Sequence, residues 1–193
     1  MPLGDSITMG AGSRRGDGYR AGLYRVLTRS GLRVDFVGSQ HDGGGPDPDH
    51  EGHSGWTMSR LGEHLDGWLS RSRPDVILLH AGTNDLRTST AAARAPQRLA
   101  RLLLTISRGR PNAEVYVAKI VGNADRGDGR IRQERADAYN ALVPGVVAAA
   151  GTHFHVVDLS AVRDRDMADK LHPNDAGYAR MAAAWGTALL AQF

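Results

Sequence analysis

Apolar residues fall into two alternating patterns along the chain. Short, nearly continuous apolar runs rich in β-branched residues occur at LRVDFVG (32–38), DVILLHAG (75–82), EVYVAKIV (114–121) and HFHVVDL (153–159). Their length and composition suit strands buried on both faces of a parallel sheet. Longer segments with helical spacing lie between them, near 18–30, 57–71, 90–109, 130–150 and 174–192. In 57–71, Leu61, Leu65, Trp68 and Leu69 share one face. Pro74 and Pro111 each stand just before a strand, where a helix has already ended. With MPLGD (1–5) as the first strand, the pattern predicts a three-layer α/β/α sandwich around a five-stranded parallel sheet. No repeat or linker divides the chain, so residues 1–193 read as one domain.

The least regular stretch is QHDGGGPDPDHEGHS (40–54), a Gly/Pro/Asp-rich loop. Ligands of open α/β sheets bind beyond the carboxyl ends of the strands. Four polar clusters follow strands or precede helices there: Gly4-Asp5-Ser6, GHSGWT (52–57), GTND (82–85) and DKLHPNDAG (169–177).

Composition narrows the function classes. The chain has 24 basic and 21 acidic residues and a net charge of +3. The basic residues, nearly all Arg, are scattered among acids as on solvated helix faces, which speaks against a nucleic-acid partner. No apolar run approaches the roughly 18 residues of a membrane helix, so no membrane partner is expected. Zero cysteines exclude a disulfide framework, a Cys-ligated metal and a thiol nucleophile. The five residues before Ser6 make a short first strand, either truncated or preceded by residues beyond this sequence. An extracellular enzyme whose leader has been removed is favoured over a cytoplasmic one, and a monomer over an oligomer.

Ser6 has two readings. Ser and Asp are common helix N-caps, so it can cap a helix. It can equally be a nucleophile held at a helix N-terminus. The second reading needs a base, and His172 with Asp169 three residues earlier offers one. A carboxylate on one imidazole nitrogen fixes the tautomer and leaves the other nitrogen to take the serine proton. Asn174 or Asp175 would cap the last helix. Acyl transfer also needs donors for the oxyanion. The Ser6 and Gly55 backbone N–H groups and the Asn84 side chain are the candidates. Taken singly, Gly55 is an ordinary turn glycine and Asn84 an Asx-turn residue.

Together, GDSI, Gly55 in SGWT, GTND and DKLHP resemble, in order and spacing, the four sequence blocks of the SGNH hydrolases, or GDSL esterases/lipases. The resemblance covers nearly the whole chain. It implies Ser6 as nucleophile and oxyanion donor, Gly55 and Asn84 as further donors, His172 as base and Asp169 as its orienting residue. It also implies a sheet of order 2-1-3-4-5. MPLGDSITMG with DHEGHSGWT is most similar to carbohydrate esterase family 3, the acetyl xylan esterases. The implied activity is hydrolysis of short acyl esters, chiefly acetyl, on a carbohydrate, without cofactor or metal. A lysophospholipase, a thioesterase and a non-catalytic carbohydrate-binding module are the competing functions.

Other residues carry weaker signals. Trp56, His53 and Asn123 are expected at the substrate, with Asp125 on the same rim; packing is the competing role of Trp56. Asp5 is expected as a structural acceptor, Asp85 as a brace for the loop of Asn84, and His80 as a core histidine. His50, His53, Asp42, Asp47 and Asp49 crowd the 40–54 loop, but no EF-hand or His-x₃-His pattern organises them, so a polar rim is favoured over a metal site.

Overall fold

The structure, a computed structural model, describes residues 1–123 and 129–192. Strands β1 (Pro2–Gly4), β2 (Glu51–Gly52), β3 (Val76–His80), β4 (Glu114–Lys119) and β5 (Phe154–Asp158) form a parallel sheet of order β2-β1-β3-β4-β5. Alternate residues of each strand feed opposite cores. Ile77, Leu79, Val115 and Val117 meet helices α3 (Met58–Ser72), α5 (Ala95–Gly109) and α6 (Gly129–Ala150) on one face. Leu78, Tyr116 and Ala118 meet α2 (Arg20–Arg29) and α7 (Asp175–Leu190) on the other. The strands are apolar on both faces because both faces are covered. Two short helices complete the described elements, α1 (Ser6–Met9) and α4 (Ser89–Ala92), with 3₁₀ turns at Thr83–Leu86 and Asp164–Asp166.

Two expectations need correction. The run 32–38 is not a ladder strand; β2 takes the edge place, pairing Leu3 with Glu51 and Gly4 with Gly52. The Asp47 carboxylate accepts the Phe36 N–H at 2.6 Å, a donor that a ladder would need. Gln40 and His50 exchange both backbone hydrogen bonds at 2.9 Å, turning the chain back so that 51–52 reach β1. The run is apolar on one side only: Phe36 is buried while Arg33 and Asp35 are exposed. Likewise, 90–109 is two helices, α4 and α5. Pro96, at the second position of α5, has no N–H to bond back to Ala92, so a continuous helix is interrupted there.

Burial makes stability sensitive to acid. His50 and His80 are wholly buried, and burial first of all holds their pKa values down to about 3 and about 4. Both stay neutral in the fold, while the unfolded chain binds a proton on each below its ordinary value of 6.5. Their contribution is complete above that value and lost as pH falls. Asp5, pushed up to about 6 by burial, acts in the opposite sense, since the folded protein takes up its proton first. The difference is about one proton, so unfolding free energy should fall by about 1.4 kcal/mol per pH unit between pH 6 and 5. Urea unfolding at pH 7.5, 6.5 and 5.5 measures this, and a flat series would contradict it.

Candidate active site

The turn after β1 resolves the two roles open to Ser6. Asp5 is the N-cap of α1, its Oδ1 accepting the Ile7 N–H at 3.0 Å. Ser6 is therefore the first helical residue, and its hydroxyl is not used in capping. Glycine is required just before, because a Cβ on Gly4 would lie 2.1 Å from the His80 carbonyl oxygen. That close approach holds the turn against the carboxyl end of β3.

Across the sheet end, Ser6 Oγ lies 3.0 Å from His172 Nε2. His172 Nδ1 lies 2.7 Å from Asp169 Oδ2. The acceptor at Nδ1 assigns the ring proton to that nitrogen, leaving Nε2 to accept from the serine. Asp169 is itself oriented, since its Oδ1 accepts the N–H groups of Leu171 at 2.7 Å and His172 at 2.8 Å. Partial burial pushes its pKa up, but the hydrogen bonds from the His172 ring and these two amides hold it below the ordinary carboxylate range. It stands ready as a counter-charge for an imidazolium. Asn174 caps α7, accepting the Ala176 and Gly177 N–H groups, so the cap and the base are separate residues.

The proposed donors stand on loops tied to the same sheet end. The His53 N–H donates to the Gly4 carbonyl at 2.9 Å, fixing the segment that carries Gly55 beside the Ser6 turn. Gly55 has φ +77, a left-handed conformation that favours glycine, and a Cβ there would meet nothing within 4 Å. Asn84 Nδ2 donates to the Trp56 carbonyl at 3.0 Å, and among the described residues its second hydrogen has no protein acceptor. Asp85, wholly buried, braces this loop: Oδ2 accepts the Met58 N–H and Oδ1 accepts from Arg98, each at 3.0 Å. Among the described residues no protein group takes the N–H of Ser6 or of Gly55. The Ser6 and Gly55 N–H groups and the Asn84 amide thus stand on segments tied to the same sheet end as the Ser6 hydroxyl.

The remaining predicted residues divide. Asn123 is nearly buried and lines a small recess with Thr83, Val121 and Leu171, next to Asn84 and His172. Trp56 is half-buried against the core beneath α3. The His53 ring turns inward, 2.8 Å from buried Glu51 and stacked on Trp56 and Trp68. Asp125 lies outside the described residues. His80 is a core residue whose Nε2 accepts the Val121 N–H at 3.3 Å. In the 40–54 loop, Asp47 is engaged by the Phe36 amide, Asp49 by His41 and Asp42 by His50.

Two supporting residues had no signal in the sequence. Arg20 is 1% exposed, and its guanidinium donates to the carbonyls of Thr8, Met9, Gly16, Asp42 and Pro48. It anchors the end of α1 and the irregular loop at once. Arg98 is the partner that makes a buried Asp85 carboxylate tolerable. In the sequence, both look like the scattered arginines of a solvated helix face.

Residues 3–180 match the model of the GDSL-like Lipase/Acylhydrolase family. A multidomain esterase of Ruminococcus flavefaciens is 30% identical over 96% of this chain, which spans 27% of that protein's length. A family 3 carbohydrate esterase from Clostridium thermocellum superposes with a TM-score of 0.82 at 38% identity, covering 97% of this chain and 92% of that one. An acetyl esterase variant solved with an acetate ion superposes with a TM-score of 0.85 at 28% identity, covering 100% and 96%. On sequence, sheet order and overall likeness alike, the chain belongs to the GDSL-like lipase/acylhydrolase family, the SGNH hydrolases.

Proposed function

We propose that residues 1–193 act as one catalytic domain that removes acetyl groups from a carbohydrate through an acyl-enzyme on Ser6. The observation that carries the mechanism is the hydrogen-bonded chain Ser6–His172–Asp169, at 3.0 and 2.7 Å. Ser6 Oγ attacks the ester carbonyl carbon as His172 Nε2 takes its proton. The carbonyl oxygen becomes an oxyanion facing the N–H groups of Ser6 and Gly55 and the amide of Asn84. Collapse breaks the bond to the sugar oxygen, which leaves with the proton from His172. Water, activated by the same nitrogen, then releases acetate. No cofactor enters this sequence.

The acyl preference is supported by the likeness to an acetyl esterase variant solved with an acetate ion. The carbohydrate is supported by the family 3 likeness of the domain. Turnover of p-nitrophenyl acetate, butyrate and octanoate, together with acetylated xylan, tests both parts. Acetate esters should be preferred, with kcat/KM falling about tenfold or more by octanoate, since each misplaced methylene costs a substantial factor. Equal turnover of octanoate would favour a lysophospholipase or thioesterase instead.

Asn84→Ala should lower kcat by roughly 10²–10³ with KM little changed, because an oxyanion donor acts on charge that develops in the transition state. Steady-state kinetics on p-nitrophenyl acetate separates the two constants. A loss wholly in KM would make Asn84 a binding residue.

A further inference from the structure

Ser6 and His172 stand on segments that only folding brings together, and one short turn touches both. After α1 the chain turns through residues 10–14. The Ser6 carbonyl accepts the N–H groups of Gly10 at 3.0 Å and Ala11 at 2.9 Å, so the turn hangs directly on Ser6. It is tied internally: the Ser13 hydroxyl donates to the Gly10 carbonyl at 2.6 Å and accepts the Gly18 N–H at 3.1 Å. Its far end meets the segment of His172. A Cβ on Gly12 would lie 2.5 Å from the Pro173 carbonyl oxygen and 2.9 Å from His172 Cβ, so the backbone of the turn rests against the base. The Tyr178 hydroxyl donates to the Ala11 carbonyl at 2.6 Å. One Asp175 oxygen accepts the Arg14 N–H at 3.0 Å, and the other accepts from the Arg14 guanidinium.

Stability is a poor reason for this last pair. The Arg14 side chain is 89% exposed and that of Asp175 42% exposed. An ion pair between solvated groups adds little to the folding free energy. Yet both carboxylate oxygens are used, and one of the bonds goes to the backbone, so the pair fixes the turn itself. The base segment needs such a tie. Residues 168–170 are exposed, and the bonds between Asp169 and His172 lie within that segment. They orient the imidazole without setting its distance from Ser6. Proton transfer from Oγ to Nε2 depends steeply on that distance.

We propose that Arg14 and Asp175 are positioning residues: they pin the 10–14 turn between Ser6 and the His172 segment and so set the separation that the serine proton crosses. The inference rests on the acyl-enzyme reading above. Its test compares the parent protein with Asp175→Ala, Asp175→Asn and Ser6→Ala. Each is assayed for turnover of p-nitrophenyl acetate and for labelling by diethyl p-nitrophenyl phosphate. In the label, Ser6 Oγ bonds to phosphorus, p-nitrophenolate leaves, and His172 holds the serine proton. Asp175→Ala should lower kcat about tenfold with KM within about twofold, since a 1 Å misplacement of reacting groups can cost about 10²-fold. Labelling should slow by the same factor and still reach about one label per chain, which separates a displaced base from a partly unfolded sample. The thermal midpoint should change little. Asp175→Asn keeps an acceptor for the Arg14 N–H, so its kcat should stay within about threefold of the parent.

Unchanged kcat and labelling rate in Asp175→Ala overturn the positioning role. Incomplete labelling at an unchanged rate also overturns it, because the pair would then support only the fold. Equal losses in Asp175→Ala and Asp175→Asn do so as well, since the effect would belong to the negative charge at the head of α7. A loss wholly in KM would place the pair at the substrate and overturn it too. Ser6→Ala keeps the underlying reading separate, because it should neither turn over the ester nor take the label. If it does both, the acyl-enzyme on Ser6 fails and the positioning role falls with it. That result is distinct from an inert Ser6→Ala beside a fully active Asp175→Ala, which removes the positioning role alone.

Discussion

Ser6→Ala should lower kcat on p-nitrophenyl acetate by about 10⁴-fold or more, as removal of a triad serine does in other hydrolases. The loss is large because no other group stands where Ser6 stands, 3.0 Å from His172 Nε2 at the head of α1. The fold should persist, since the cap of that helix is Asp5 and the Ser6 hydroxyl supports no other described contact. Thermal unfolding should therefore change little while the burst of p-nitrophenol disappears. A variant retaining a tenth of the activity would rule out an acyl-enzyme on Ser6.

The second large effect is an asymmetry within the rest of the chain of hydrogen bonds. His172→Ala should lose nearly as much as Ser6→Ala, because one nitrogen both takes the serine proton and returns it to the leaving oxygen. Asp169→Ala should retain roughly 10–10² times more activity than His172→Ala, as carboxylate removal does in a comparable triad. The Asp169 side chain is 56% exposed, so water can replace part of its charge compensation. Its other task is geometric, since it pins the backbone of Leu171 and His172 through two amides. Full activity in His172→Ala would refute the mechanism. Equal, near-complete losses in both variants would mean that orientation by Asp169 is as necessary as the base itself.

Much of the architecture was legible in the sequence because local pattern and global burial agree. Runs such as VILLH and EVYVAK are apolar without alternation, and only a strand covered on both faces needs that. The positions proposed as reactive stand in motifs for a related reason. Gly55 and the Asp169–His172 spacing answer to local backbone geometry and leave short motifs, whereas Gly4 answers to the distant His80 carbonyl. The triad also depends on contacts between residues 166 apart, and only the order of the motifs along the chain hinted at that meeting.

Tertiary structure alone decided the edge of the sheet and the support of the site. The 32–38 run has the apolar content of a strand, yet its fate turned on whether the Asp47 carboxylate or a neighbouring strand took the Phe36 amide. Arg20 gave no sign of being buried, because a guanidinium satisfied by five carbonyls depends on where distant loops end. The His53 ring takes its place from the buried Glu51 and two tryptophans around it. Residues whose role is set by their own backbone or by periodic burial can be read along the chain. A polar side chain inside the fold takes its role from partners that only folding brings within reach.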